Sequence, residues 1–525
     1  MGATKVGAIA IGLAGALAAS PAYSQSAGGG SDAEIALLKQ QLKMLEQKLD
    51  KLQKQTNANT ATAASANANA KAADAKAARV ASANAAIPVK GPVAPSGVVV
   101  TLPNNRPTIC TADEQNCVAI TSRVHWDVGG YDYRPNTAST SPQKLDSGEN
   151  LRRARIGIVG KFFGDWNYAL IYDFGGAAPG SLPGGGTSGV ENAYLSYTGF
   201  KPFGGKMAIE GGIMDIPWTL DESTSSNDIL FMERASVGII AQNIAAGDFR
   251  SGAGTRWWND QLWIGGYVTG PTTGAIHSAS SAAPAGTSEQ YGGVIRVAGN
   301  PISGKNYSVH IGADAEWLVQ PPRNQLTQAQ TLTLNDRPEL RIDPTTLIST
   351  GAIANVSGAQ VYGVEAAATY GPFIAQGEYY WFNVDRSANT GLPPFGAPSL
   401  KFDGGYAQVG YVLTGENHAY NPATASYGGI KPHDPFSLAG GGMGAWEIAG
   451  RVSTMNLNDQ VGQAVGIAGG RQTVYTAALN WYVNNNVRFM LNYLHGDIAK
   501  QASATSPVDA GSKFDAVALR TQVAF

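Results

Sequence analysis

An alternation of apolar and polar residues, repeated over most of the chain, constrains its fold more than any other feature. Trp166 and Leu170 share one face of one stretch, and Asn167 and Asp173 lie on the other. A period of two residues is the period of a β-strand, whose successive side chains point to opposite sides. The same alternation continues into the segment that ends at Phe525. We therefore expect an all-β fold.

Composition leaves two all-β architectures open. Charged residues make up 14% of the chain, well below the roughly 25% that is usual for soluble domains. Beyond the N-terminus, no segment approaches the ~18 consecutive apolar residues of a membrane helix. The apolar faces pack together in a soluble sandwich. In a membrane barrel they meet lipid, while the polar faces line a lumen. The alternation alone does not distinguish the two.

Strand length, aromatic placement and loop asymmetry favour the membrane barrel. The alternating stretches run to about ten residues, the length that a tilted membrane strand needs. Phe162, Trp166 and Trp481 stand beside turns, where an interfacial belt of aromatic side chains is expected. Tight turns alternate with long Gly- and Ser-rich loops such as 175–189 and 271–289. The expected fold is a transmembrane antiparallel β-barrel, whose last strand pairs with its first and leaves no free edge.

The N-terminus has the layout of a secretory signal over residues 1–24. A lysine precedes an apolar run, and cleavage after either Ala22 or Ser24 satisfies the small-residue rule. A buried N-terminal helix is the alternative, although glycines interrupt the run. Export makes a disulfide between Cys110 and Cys117 the expected state. In the chain-entropy model such a short closed loop contributes about 2–3 kcal/mol.

Residues 31–55 carry a heptad pattern with Ile or Leu at every a and d position. Because a helix this short is marginal alone, the seam implies a partner, most simply another copy of the chain. A lone amphipathic helix packed on a core is the alternative. Residues 56–117, which are Ala- and Asn-rich and then Pro-rich, predict a flexible linker that provides no such core. The seam residues are Ile35, Leu38, Leu42, Leu45, Leu49 and Leu52.

Sequence motifs of enzymes are absent. The chain has no GxSxG elbow, P-loop, HExxH or paired CxxC. Residues 184–189 match GxGxxG formally, but they lie in an expected loop with no helix after them. Ser308 and His310 share a strand face that we expect to point into the lumen, away from any lipid substrate. We therefore expect no enzymatic activity, no cofactor or metal site, and no nucleic-acid partner.

Several blocks, in family order, resemble the phosphate-selective porin family, the O/P type, of Gram-negative outer membranes. They cover roughly residues 118–525 and include LRRARIGIVGKFFGDWNYALIYDF, TSSNDILFMERA, GAWEIAGRVSTMNLND and LNWYVNNNVRFMLNYLHG. The resemblance implies a 16-stranded barrel, a homotrimer, a periplasmic N-terminus and contact with outer-membrane lipid. Phe525 also resembles the terminal signal read by the barrel assembly machinery, which is therefore an expected partner.

The expected function is a water-filled channel for passive diffusion of small hydrophilic solutes or ions, with selectivity for anions such as phosphate left open. The alternative is a structural barrel that links the membrane to the cell wall through its coiled coil. Phosphate passage requires basic side chains along the pore. Residues 118–525 contain 26 Lys and Arg against 32 Asp and Glu, a net charge of −6.

Eight arginines are candidates for lining the pore, by strand alternation or by their place in the expected constriction near 224–252. Strand alternation also turns carboxylates such as Asp127, Asp173, Glu365, Glu378 and Glu447 toward the lumen, and pairing with them, which would only stiffen the wall, is an equally open interpretation. The candidate arginines are Arg123, Arg153, Arg155, Arg234, Arg250, Arg451, Arg488 and Arg520.

The heptad pattern generates a test of assembly. Deleting residues 31–55 should lower the temperature at which oligomers dissociate in detergent, because the seam buries Ile and Leu side chains between chains. Electrophoresis of unheated and stepwise-heated samples measures this. Equal heat resistance of the full chain and the deletion variant would contradict a role of the seam in assembly and would favour attachment to the cell wall.

Overall fold

The chain divides into two compact units, Met1–Val93 and Ala94–Phe525, in a computed structural model. The predicted signal segment and the six seam residues lie outside the described residues. The structure describes Lys43, Glu46, Gln47, Asp50, Gln53 and Lys54, and then residues 97–136, 144–176, 189–272, 290–324, 327–387 and 399–525.

The six described positions of the first unit are helical and exposed. They are b, e and f positions of the predicted heptad; the b and f positions face away from a seam, and the e positions flank it. Asp50 and Lys54 form an (i, i+4) ion pair of 3.0 Å on this surface. The seam itself stays a prediction. Within the part of the chain that the structure describes, no helix has the length and apolar character needed to span a membrane.

The second unit is a β-structure. In chain order its strands are β1 (Val98–Thr101), β2 (Thr108–Thr111), β3 (Cys117–Pro135), β4 (Gly148–Phe162), β5 (Trp166–Asp173), β6 (Gly189–Tyr197), β7 (Lys206–Ile216), β8 (Gly247–Trp258), β9 (Leu262–Thr272), β10 (Tyr291–Gly304), β11 (Tyr307–Gln320), β12 (Thr331–Leu332), β13 (Asn335–Asp336), β14 (Ile348–Ser349), β15 (Ile353–Ala354), β16 (Val356–Tyr370), β17 (Phe373–Arg386), β18 (Leu400–Val412), β19 (Tyr420–Asn421), β20 (Ser426–Tyr427), β21 (Ala445–Asp459), β22 (Ile467–Tyr482), β23 (Val487–Ala499) and β24 (Ser512–Ala524). Two short helices, α1 (Leu220–Ser223) and α2 (Ser236–Gln242), lie between β7 and β8.

Sixteen of these strands in the described residues form a closed antiparallel barrel, as predicted. The wall consists of β3–β11, β16–β18 and β21–β24, and β24 pairs with β3 to close it. Arg520 lies opposite Asp127 and Leu519 opposite Val128 in this closing pair. Closure gives the backbone N–H and C=O groups of the first and last strands a partner, which strands within a bilayer require.

The hairpin formed by β1 and β2 pairs with the first residues of β3, on the same edge of β3 that pairs with β24 farther along the strand. Cys110 lies opposite Cys117 where β2 pairs with β3, and the two form the predicted disulfide. Phe525 continues β24, because its backbone exchanges hydrogen bonds with Ser122 on β3. The structure therefore differs from the expectation of a flexible linker that reaches residue 117. Val98–Cys117 is ordered against the barrel, because strand pairing and the disulfide fix it there.

The two faces of the wall differ as the alternation predicts. On β3, β4 and β9 the outward side chains of Trp126, Ile156 and Val268 are 42%, 52% and 68% exposed. The inward side chains of Asp127 and Arg520 are fully buried. The apolar rows thus form the outer surface instead of packing against one another, which is the arrangement of a membrane barrel.

The connections make the two ends of the barrel unequal. At the tight-turn end, β4–β5, β8–β9, β10–β11, β16–β17 and β22–β23 are joined by short turns, whereas the other end carries long loops. One connection departs from this asymmetry. Residues 413–444, between β18 and β21, form a long segment at the tight-turn end that contains the β19–β20 hairpin.

Part of the lumen contains an apolar core. Trp218 and Ile240 from the loop 217–246, and Ile342 from the loop 321–355, are buried together with inward side chains of the wall such as Phe402 and Phe514. The wall residues of this core come from β7, β9–β11, β16–β18 and β21–β24, mostly from the half of each strand nearer the long-loop end. Strands there are apolar on both faces, because one face meets the outer surface and the other meets the inserted loops.

Candidate functional site

Three segments of the described chain enter the lumen. We call residues 217–246 the constriction loop, residues 321–355 the core loop and residues 413–444 the tight-end segment. Gln472 on β22 donates to Ser236 of the constriction loop at 2.8 Å. Arg451 on β21 meets Glu339 of the core loop at 2.7 Å. The shape of the lumen is therefore set by these segments as well as by the wall.

The constriction loop begins with a capped helical turn held by wall carboxylates. Thr219 accepts a hydrogen bond from the Glu222 backbone N–H at 3.1 Å. The Leu220 N–H donates to Glu365 Oε2 at 2.7 Å and to Glu378 Oε1 at 2.8 Å. These otherwise unsatisfied N–H groups and the positive end of the turn favour anionic partners. Carboxylates of β16 and β17 thus fix the position where the loop enters the lumen.

Arginines of three wall strands hold the middle of the constriction loop. Arg520 forms a two-pronged pair with Asp127, 2.7 Å to each oxygen, and donates to the Met232 carbonyl. Arg451 donates to the Glu233 carbonyl at 2.9 Å, and Arg488 donates to the Ile229 carbonyl at 2.9 Å. A guanidinium presents several N–H donors in a fixed plane, which suits the irregular backbone of a loop.

Glu233 is the charged centre of this attachment. Its carboxylate accepts two hydrogen bonds from Arg152, at 2.8 and 3.0 Å, and one from Arg520 at 2.7 Å. Arg341 of the core loop lies 3.7 Å away and Arg153 lies 4.0 Å away. Burial alone would raise the pKa of Glu233, but the charges of Arg152, Arg520 and Arg153 hold that pKa well below its usual range.

The tight-end segment is fixed at its tip by wall strands β9–β11. Arg296 donates to the carbonyls of Thr424 and Ala425 at 2.9 and 2.8 Å, while it pairs with Glu365 at 2.9 Å. Trp263 donates to the Ala423 carbonyl at 3.1 Å. The segment therefore occupies part of the lumen near β9 and β10.

A buried histidine attaches the tight-end segment at its start. His418 Nδ1 lies 2.8 Å from the Gly428 carbonyl and Nε2 lies 2.7 Å from Glu447 Oε1. Both partners are acceptors, so both ring nitrogens must carry a proton to make these hydrogen bonds. Burial disfavours the charged ring and Arg488 opposes it, but Glu447 and the Gly428 carbonyl outweigh them and raise the pKa of His418.

The described residues line two lumenal cavities between the inserted segments and the wall. The first, about 280 Å³, lies between the constriction loop and β3–β8. The second, about 720 Å³, opens at the tight-turn end beside the tight-end segment and the β22–β23 turn. Thr121, Ser122 and Arg123 on β3 line both cavities. At this junction Arg123 donates to Ser226 Oγ at 2.6 Å and to Ser225 Oγ at 3.3 Å.

Comparison with known proteins identifies the family. The family model described as phosphate-selective porin O and P matches residues 118–525, more than half of the chain. This chain belongs to that family. The predicted family, the barrel fold and the outer-membrane location are thereby confirmed, and the protein is an outer-membrane porin.

The chain is also similar to two individual relatives and to one solved structure, each at 28% identity or less. An uncharacterized protein of Caulobacter vibrioides is 28% identical over 462 residues, covering 88% of this chain and 83% of the relative. Porin O of Pseudomonas aeruginosa is 26% identical over 406 residues, covering 74% and 84%. The structure of OmpT of Vibrio cholerae is 12% identical with a TM-score of 0.43, covering 78% and 98%.

The porin places its eight predicted arginines in two environments. Arg123, Arg155 and Arg234 line the first cavity, and Arg123 and Arg488 line the second. Their role in solute selection stays a prediction. The remaining four contact protein groups around the inserted loops: Arg153 beside His125, Arg250 on the carbonyls of Asn243 and Gly270, and Arg451 and Arg520 as described above.

Arg152, Arg256 and Arg296 also lie on lumen-facing positions of the described wall strands, although they are not among the eight predicted arginines. Arg256 and Arg296 alternate with outward residues on β8 and β10, so the period of two could have indicated them. Arg152 could not be found in this way, because a β-bulge between β3 and β4 inserts one residue and turns Arg152 and Arg153 both inward. Strand alternation also does not predict that the tight-end segment enters the lumen.

Replacing Glu233 by Gln should release the constriction loop. The substitution leaves the buried guanidinium groups of Arg152 and Arg520 without their shared charge, a loss of about 3–5 kcal/mol for a broken buried pair. Hydrogen exchange should show faster exchange in residues 217–246 than in the parent protein, and thermal unfolding in detergent should begin earlier. The exposed Glu149 on the same wall provides the control, since Glu149→Gln should change neither measurement. Unchanged exchange in the Glu233 variant would contradict this account.

The attachment of the tight-end segment should weaken at alkaline pH. Because the pKa of His418 in the folded protein lies above its ordinary value of 6.5, the contribution of its charge is fully present below that value. It is lost as pH rises through the raised pKa. Limited proteolysis of residues 413–444 should therefore accelerate in alkaline buffer, and His418→Gln should abolish the pH dependence. His433 on the same segment, whose side chain is 69% exposed, is the matched control, and its replacement by Gln should preserve the pH dependence.

Proposed function

We propose that this porin conducts small hydrophilic solutes passively through an off-centre passage along β3–β8. One observation carries this proposal: Thr121, Ser122 and Arg123 line both lumenal cavities, so the two cavities meet at these residues. The apolar core fills the lumen toward the long-loop end, where it contacts β7, β9–β11, β16–β18 and β21–β24, and it excludes water and ions there. A solute that enters at the tight-turn end therefore meets the first cavity through the region around Arg123.

The charge of this passage supports weak selectivity rather than strict selection of phosphate. Both arginines and carboxylates line the first cavity, and Arg256 lies 3.3 Å from Glu210. Rings of charge set the preference of a pore when one sign dominates its narrowest part. Here neither sign dominates, so an anion gains little over a cation. Among the wall arginines, Arg123 has the strongest claim to influence passage because of its place at the junction.

The assembly proposed for this porin is a homotrimer with a periplasmic N-terminal segment, inserted by the barrel assembly machinery. The heptad pattern over residues 31–55 supports self-association. A structural barrel that ties the membrane to the cell wall is the second candidate, and the apolar core that fills part of the lumen favours it. Planar-bilayer recording separates the two, because a structural barrel that is plugged would give no stable conductance steps.

Substitution of Arg123 tests the passage. Arg123→Ala should increase the single-channel conductance in KCl and shift the reversal potential toward cation preference. Removing one charge about 4 Å from the path changes the energy of an ion by about 1 kcal/mol in water, roughly fivefold in the permeability ratio. The control is Lys206→Ala, which removes the same charge from an exposed position at the tight-turn end that lines neither cavity. Identical conductance and reversal potential in the Arg123 variant and the parent would contradict the proposed path.

A further inference from the structure

The first cavity presents equal numbers of opposite charges to any solute that enters it. Four arginines and four carboxylates line it. Three of the arginines are paired with carboxylates, two of them between wall strands and one within the constriction loop. Arg256 lies 3.3 Å from Glu210, Arg234 of the constriction loop lies 3.4 Å from Glu222, and Arg155 contacts Glu191.

Paired charges in a narrow cavity act on a solute as fixed dipoles. A monovalent ion that gives up part of its hydration there meets an attractive group and a repulsive group close together, and the two contributions nearly cancel. A solute that carries one group of each sign can turn so that each end meets its opposite. Its attraction is then the sum of two favourable contacts instead of their difference.

The remaining lining suits a small polar solute. Hydroxyl groups of Thr121, Ser122, Ser225 and Ser226 border the cavity. Such groups both donate and accept hydrogen bonds, and so replace lost hydration for either end of a solute. The cavity volume of about 280 Å³ lies at the lower limit of about 300–1,000 Å³ that is usual for small-molecule sites, so it admits small solutes only.

We propose that the first cavity favours small zwitterionic solutes, which carry one carboxylate and one ammonium group, over inorganic anions and over singly charged organic ions of the same size. This inference rests on the proposed function, because the solute must pass through the cavity. It goes beyond that function, because it assigns a class of solute to the mixed charge of Arg256, Glu210 and their neighbours.

Flux through reconstituted liposomes tests the proposal with solutes of matched size. Glycine is the zwitterion, glycolate the anion and ethanolammonium the cation, and inorganic phosphate is added as a fourth probe. Glycine should enter about fivefold faster than each of the others, an effect of roughly 1 kcal/mol. Equal rates for all four, or fastest entry of phosphate or glycolate, would overturn the proposal. This comparison uses the unmodified protein, so its outcome does not depend on whether a variant folds.

A paired substitution then connects the preference to the cavity. The double variant Arg256→Gln and Glu210→Gln keeps the net charge but removes one dipole, and the preference for glycine should fall at least twofold, by about 0.4 kcal/mol. The control pair is Lys513→Gln with Asp497→Asn, an exposed ion pair of 3.0 Å away from this cavity, and it should retain the full preference. An unchanged preference in the Arg256 and Glu210 variant would contradict the assignment to this cavity.

Bilayer recording on the same preparations distinguishes this proposal from the one on which it rests. Stable KCl conductance steps without a preference for glycine would contradict the zwitterion proposal and would still support the proposed channel. Absence of any conductance from correctly folded protein, as judged by heat-modifiable electrophoresis, would remove both. Conductance together with a glycine preference supports both.

Discussion

Backbone hydrogen bonding in a medium without water is the constraint from which the rest of this structure follows. A strand in hydrocarbon cannot leave its N–H and C=O groups unpaired, so the sheet must close on itself. The pairing of β24 with β3 achieves this, and the exchange between Ser122 and Phe525 extends it beyond the last strand residue. Closure makes every wall residue face either the outer surface or the lumen. The outer surface accepts apolar side chains, and therefore almost all buried charge of the barrel is collected inside.

The inserted segments also bring backbone N–H and C=O groups that need hydrogen-bond partners within the lumen. Loops bring irregular backbone into a space where water is scarce, and their carbonyls need donors. Guanidinium groups on β10, β21, β23 and β24 supply those donors, as Arg296 does for Thr424 and Arg488 does for Ile229. Carboxylates such as Glu365 and Glu378 serve the N–H groups in the same way. Much of the charge in the lumen is thus used to hold protein backbone, and the apolar core behind it makes the constriction loop part of a packed interior.

The sequence specified the wall more completely than the lumen for a physical reason. Alternation with a period of two is a local property, so it identified the outward rows that include Trp126 and Ile156 and the inward position of Arg520. The disulfide followed from two cysteines in an exported chain. The bulge at Arg152 breaks the period by one residue, and the docking of the tight-end segment on Arg296 joins residues far apart in the chain. Neither leaves a periodic signal, and pairing of Glu233 with four arginines depends on the closed barrel that brings them together.

The number of lumenal arginines is therefore a poor guide to what this porin selects. An arginine favours anions in the passage only when its field is not cancelled and its donors are not directed to the backbone. The donors of Arg451 and Arg520 are directed to loop carbonyls. The field of Arg256 is largely cancelled by the neighbouring Glu210. A dense row of arginines facing an open path would require the carboxylates to lie elsewhere in the barrel. In this porin Glu191, Glu210, Asp215 and Glu222 share the cavity with the arginines. Under the proposed function, this mixture of signs, more than the family's name, would determine which solutes gain from passing through the cavity.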